Sequence, residues 1–130
     1  MSNKNLDLCV VFILKKAYKT YIKEKCGFCA RAVRLAIEYG FNIKLERHEA
    51  ANDYGSSLIK AGFSNYFSYP SQPKNTYTPI KGDVAIIKYS PYGHICMFTG
   101  DCWVSDFIQL DMYGGHVRDK DPEFHIYRFK

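Results

Sequence analysis

A chain of 130 residues, 47% hydrophobic and 24% charged, has the balance of one globular domain, 1–130, long enough to bury a core without metals or disulfides. Its net charge of +5 favours acidic partners, but Lys and Arg are scattered without a run of five, which argues against a dedicated nucleic-acid patch. The longest apolar run, Leu8 to Leu14, is far too short for a membrane span.

The N-terminus also makes a poor signal peptide. Asp7 interrupts the positive region, and no small-residue cleavage site precedes Lys15 and Lys16. The chain is therefore expected to be made in the cytosol and, if it acts outside, to leave by another route.

Taken in chain order, apolar positions at 8, 11, 12, 14, 18 and 22 predict a first helix over 7–24. Gly27 breaks it. A second helix is expected from Cys29 to Tyr39, with Ala30, Val33, Ala36 and Ile37 on one face and Gly40 as its terminator. A third is expected over 50–61, closed by Gly62. The stretch 64–79, rich in Pro, Ser, Asn and Tyr, reads as a loop. The period then changes, and strands are expected at 84–89, 93–99, 102–106 and 124–129. Helices first and an antiparallel sheet afterwards make an α+β fold.

The five cysteines are Cys9, Cys26, Cys29, Cys96 and Cys102. An odd count leaves at least one thiol over. Cys26 and Cys29 have the spacing of half a zinc site, but Cys96 and Cys102 are too far apart to complete it, so no metal or cofactor is expected. Nor does a strand directly precede the pair, as a thioredoxin-like dithiol would require.

Cys29 falls where the second helix starts. The amides and dipole there favour a thiolate and would also receive an oxyanion. A cysteine hydrolase also needs a base and a group to orient it. His94 opens a predicted strand after the loop that holds Tyr92, and Asp106 lies on the next strand of the hairpin. If the turn centres on Gly100, positions 94 and 106 face each other with Cβ atoms about 5 Å apart. His48, in the charged stretch Glu46-Arg-His-Glu49, reads as solvated. His116 follows two glycines in a loop, and His125 lies in the last strand. None of the three has a carboxylate placed across a hairpin.

A helix-starting Cys, a strand His and a polar residue twelve positions on resemble the papain-like peptidoglycan hydrolases of the NlpC and CHAP types. The finer likeness covers most of the chain. Cys29-Ala-Arg-Ala-Val-Arg-Leu-Ala-Ile-Glu-Tyr-Gly40 resembles a nucleophile helix. Asp53-Tyr54-Gly55, Lys81-Gly82-Asp83, Gly93-His94-Ile95, Trp103-Val-Ser-Asp-Phe-Ile-Gln109 and Asp111-Met112 resemble further landmarks of a group similar to the type VI secretion amidase effectors. The resemblance implies an NlpC/CHAP-like fold, with N-terminal helices packed on an antiparallel sheet. It also implies Cys29 as nucleophile, His94 as base and Asp106 as orienter. Tyr54, Tyr92 and Trp103 are expected to bind substrate, since such rings join an apolar body to a polar tip. Cys26 departs from the group's pattern, as a competing nucleophile or a partner for Cys29. Ala32 stands where an aromatic residue is expected. Cys96 and Cys102 replace small or polar residues near the site.

The implied reaction is hydrolysis of amide bonds in peptidoglycan peptide stems by a monomer, as an antibacterial effector or a lysis enzyme. It would act in the periplasm or wall of a target bacterium, and a producing cell would need a cognate immunity protein. The competing readings are a papain-like protease or deamidase acting on proteins, and a non-catalytic domain that binds the cell wall or a partner.

Overall fold

The computed structural model describes residues 3–17, 29–115 and 119–129. The expected helical residues 18–24, Cys26 and His116 lie outside the described residues.

Helix α1 spans Lys4–Lys16. It starts earlier than its periodicity suggested because Asn3 caps it, its side-chain oxygen accepting from the Asn5 and Leu6 amides at 2.8 and 3.1 Å. The buried face also differs from the expected one. Cys9, Val10 and Ile13 are buried, with Leu6 packed beside them, while Leu8, Val11 and Leu14 are exposed. Positions 6, 9, 10 and 13 follow the i, i+3, i+4, i+7 spacing of a single stripe. The helix ends at Lys16, and Ala17 is extended.

Helix α2 spans Cys29–Phe41 and buries the expected residues Val33, Ala36 and Ile37. Gly40 does not terminate it. A Cβ there would sit 2.3 Å from Cys9 Sγ and 2.5 Å from the Asn5 carbonyl oxygen, so the glycine is what lets α1 approach α2. The turn out of the helix falls to Asn42, with φ at +55°. The expected third helix is a 3-10 turn, Ala51–Asp53, followed by α3, Gly55–Lys60.

The sheet has five strands: β1 (Phe63–Tyr69), β2 (Val84–Lys88), β3 (His94–Phe98), β4 (Trp103–Val104) and β5 (Glu123–Phe129), in the order β1-β5-β2-β3-β4. Every neighbouring pair is antiparallel, as expected of an α+β fold. Strand β1 lies in the stretch expected to be loop. It is a half-exposed edge strand with a bulge between Asn65 and Phe67, where Tyr66 is the extra residue. The bulge switches faces, so Phe63 joins the core under the helices while Phe67 joins the core on the opposite face.

Helices α1 to α3 cover one face through Val84, Ile86, Ile95, Met97 and Val104. Ala85, Ile87, Cys96, Trp103, Met112, Phe124 and Ile126 form the core of the other. Asp83, fully buried at the head of β2, is held by Arg128 at 2.8 and 2.9 Å and by the Tyr77 hydroxyl at 2.7 Å. No helix among the described residues is long and apolar enough to cross a membrane.

Candidate active site

Cys29 is the first residue of α2, as its position in the sequence suggested. Packing of that helix on β3 brings the thiol to the backbone of Ile95, the residue after His94. The resting thiol does not match the expected thiolate. Burial pushes it up to about 11, and the negative charge of Asp106 adds to the rise. Backbone hydrogen bonds from Ile95, Ala30 and Cys29 itself pull the other way without prevailing. Cys29, like Cys9, Cys96 and Cys102, is an unpaired thiol.

His94 is the first residue of β3 and is buried. Gly93, at φ +74°, turns the chain into the strand and packs against Asn52. The Asn52 amide N–H donates to Tyr92 O, and its side-chain Nδ2 donates to Tyr89 O, both at 3.0 Å. This clamp fixes the loop that leads into His94, and neither periodicity nor motif had singled it out.

Asp106 is not across the hairpin from His94. The ladder pairs Phe98 with Trp103 and Met97 with Val104, a register in which position 106 would fall opposite Ile95. A one-residue offset moves a side chain to the other face. The strand also stops at Val104, because the chain reverses at once. Ser105 N–H donates to Phe107 O at 3.0 Å, and Gln109 N–H donates to Trp103 O at 2.9 Å. The reversal places Gln109 against the imidazole, with Oε1 2.8 Å from His94 Nε2. Asp106 stays close enough for its charge to act on both His94 and Cys29.

The orientation of Gln109 is set by its own donors. Nε2 reaches the carbonyls of Asp111 at 2.9 Å and Met112 at 3.3 Å, so Oε1 faces the ring and accepts a hydrogen bond from the Nε2–H of His94. Burial pushes the imidazole down, but the Cys96 thiol, Gln109 and Asp106 together raise it above the ordinary histidine range. Gln109 lay inside a quoted landmark, yet nothing in the sequence marked the tight reversal at 105–107 that delivers it.

Of the residues expected to bind substrate, Tyr92 is 60% exposed on the loop before His94. Tyr54 and Trp103 are buried. The Tyr54 hydroxyl accepts from the His48 amide at 3.2 Å, and the Trp103 ring packs on Phe98. What these two offer is packing rather than a surface. His48, expected to be solvated, is half-buried with Nε2 2.9 Å from Ser57 Oγ. His125 is held by Ser68 at 2.7 Å and Glu123 at 2.6 Å.

Helices on one face of an antiparallel sheet, with a cysteine heading the helix that packs on the strand a histidine begins, define a papain-like fold. No protein-family model matches the chain, and no curated protein matches it. Solved structures do. A chain of the type VI native effector–immunity complex Tae3–Tai3 from Ralstonia pickettii is 33% identical, with a TM-score of 0.80, over 98% of this chain and 100% of that one. The selenomethionine form of that complex gives 33% identity and a TM-score of 0.77 over 93% and 99%. The chain belongs to the family of the Tae3 type VI effectors.

Proposed function

We propose that this effector is a cysteine amidase or endopeptidase that hydrolyses amide bonds in the peptide stems of peptidoglycan. The observation that carries the reading is the juxtaposition on β3. The Cys29 thiol takes the Ile95 amide, and the adjacent residue is a histidine whose ring is held by Gln109. With Nε2 of His94 occupied by Gln109, Nδ1 is left as the proton acceptor.

A thiol held neutral by burial needs that base at the moment of attack. His94 takes the Cys29 proton as sulfur adds to the stem carbonyl, and Asp106 supports the imidazolium that forms. The amides at the head of α2 are placed to receive the oxyanion. Collapse forms a thioester as His94 gives its proton to the departing amine. Water, deprotonated by His94, then releases the carboxylate and restores the thiol. Tyr92 is the side chain suited to grip the substrate beside the base.

The related structures are type VI effector–immunity complexes, which supports an antibacterial role, export into a target cell and a cognate immunity protein; the effector's site of action is proposed to be that cell's periplasm or wall, where the peptide stems lie. Digestion of purified peptidoglycan, with fragments identified by mass, tests the reading. Wild type should open a stem amide, and folded Cys29→Ala and His94→Ala should open none. An intact wall alongside cleavage or deamidation of a protein substrate would overturn it.

A further inference from the structure

Cys96 is a second thiol that the proposed reaction does not use, and it is fully buried. It lies two residues after His94 on β3, so both side chains leave the same face of the strand. Its Sγ donates to the Met112 carbonyl at 3.2 Å. The same carbonyl accepts from Gln109 Nε2 at 3.3 Å, and Gln109 Oε1 meets His94 Nε2 at 2.8 Å. The 109–114 segment passes close over the imidazole, since a Cβ on Gly114 would stand 2.6 Å from His94 Nε2. Side-chain contacts tie that segment to β3, Gln109 on His94 at 2.8 Å and Cys96 on the Met112 carbonyl at 3.2 Å, and the Cys96 thiol also bonds the side chains of Gln109 and His94 directly.

We propose that Cys96 is a positioning residue, whose thiol ties the Met112 carbonyl to β3 and thereby holds Gln109 against the imidazole of His94. This rests on the reading of His94 as the base. Among the described residues, the groups that act on His94 are Cys96 from its own strand, Gln109 from the segment above and Asp106 from the preceding turn. The Cys29 thiol, at the head of α2, meets the backbone of Ile95, the residue after His94, and Asp53, on the neighbouring 3-10 turn, is exposed. A serine at 96 keeps a donor for Met112. An alanine removes it, and a valine removes it while filling the volume.

The test follows the His94 imidazole by NMR through a pH titration, beside kcat and KM on peptidoglycan fragments, for wild type, Cys96→Ala, Cys96→Val and Cys96→Ser. In Ala and Val the His94 midpoint should fall and kcat should drop about tenfold with KM little changed, as expected when a base loses its orienting partner. Ser should restore both. If Ala does not fold, Val carries the same loss of donor. A His94 midpoint unmoved in Ala and Val, or a Ser variant no better than Val, overturns the proposal. The titration needs no turnover, so a wild type that leaves peptidoglycan intact would refute the catalytic reading and still leave this test to be scored.

Discussion

Cys29 sits among amides that favour its thiolate, yet burial outweighs them and the group stays protonated at neutral pH, pushed up to about 11. Rate should therefore follow the histidine. His94 must be neutral to take the proton, and its surroundings raise it above 6.5, so the acid limb of kcat/KM should lie above that value. Gln109→Ala removes an acceptor that favours the imidazolium. The limb should move to lower pH and activity should fall by about 10- to 100-fold. Asp106→Asn should move the limb the same way, with a smaller loss than His94→Ala. It should also speed alkylation of Cys29 at about pH 9, because the charge that raises the thiol is gone. Limbs that stay in place in both variants would remove these two residues from the base's environment. His94 and Cys29 could be located from the sequence because each begins an element. Gln109 could not, because its place depends on a three-residue reversal without a glycine or proline to mark it.

At the scale of elements, the α1–α2 contact depends on one missing side chain. Gly40 lies inside α2, and a Cβ there would meet Cys9 Sγ at 2.3 Å and a backbone oxygen of α1 at 2.5 Å. The sulfur could rotate away, but the backbone could not. Gly40→Ala should therefore destabilise the fold by about 1–3 kcal/mol despite alanine's better helix propensity, read as a lower urea midpoint at unchanged slope. A neutral or stabilising result would show that the helices separate freely. Helix α2 was legible because its apolar face is regular from Val33 to Ile37. Helix α1 was legible as a helix but not in its buried face, since apolar residues run nearly all round it and either stripe satisfies the period. Strand β1 was hidden by its composition. Three of its seven residues are Ser or Asn, and the bulge at Tyr66 breaks the alternation that marks a strand.

Across the whole molecule, alkaline pH should weaken the fold through its buried thiols. Burial pushes Cys9 up to about 12 from an ordinary 9.0. As pH rises through about 9 the unfolded chain loses this proton while the folded one keeps it, so stability is full below that pH and is lost towards 12. Cys9→Ala should be less stable than wild type at neutral pH, and the gap should narrow as pH climbs, measured by urea unfolding under reducing conditions. A constant gap would contradict the burial argument. The α+β architecture was legible because the hydrophobic period changes along the chain, while the strand order, with β5 inserted between β1 and β2, rests on long-range pairing that no local pattern carries.

The central claim is that Cys29 carries the acyl group. Peptide mapping by mass spectrometry of an acid-quenched digestion of peptidoglycan tests it most directly. The account predicts a stem-peptide acyl group on Cys29 in wild type, and neither adduct nor digestion in Cys29→Ala. An adduct on Cys26, Cys96 or Cys102, or digestion that persists in Cys29→Ala, would contradict it.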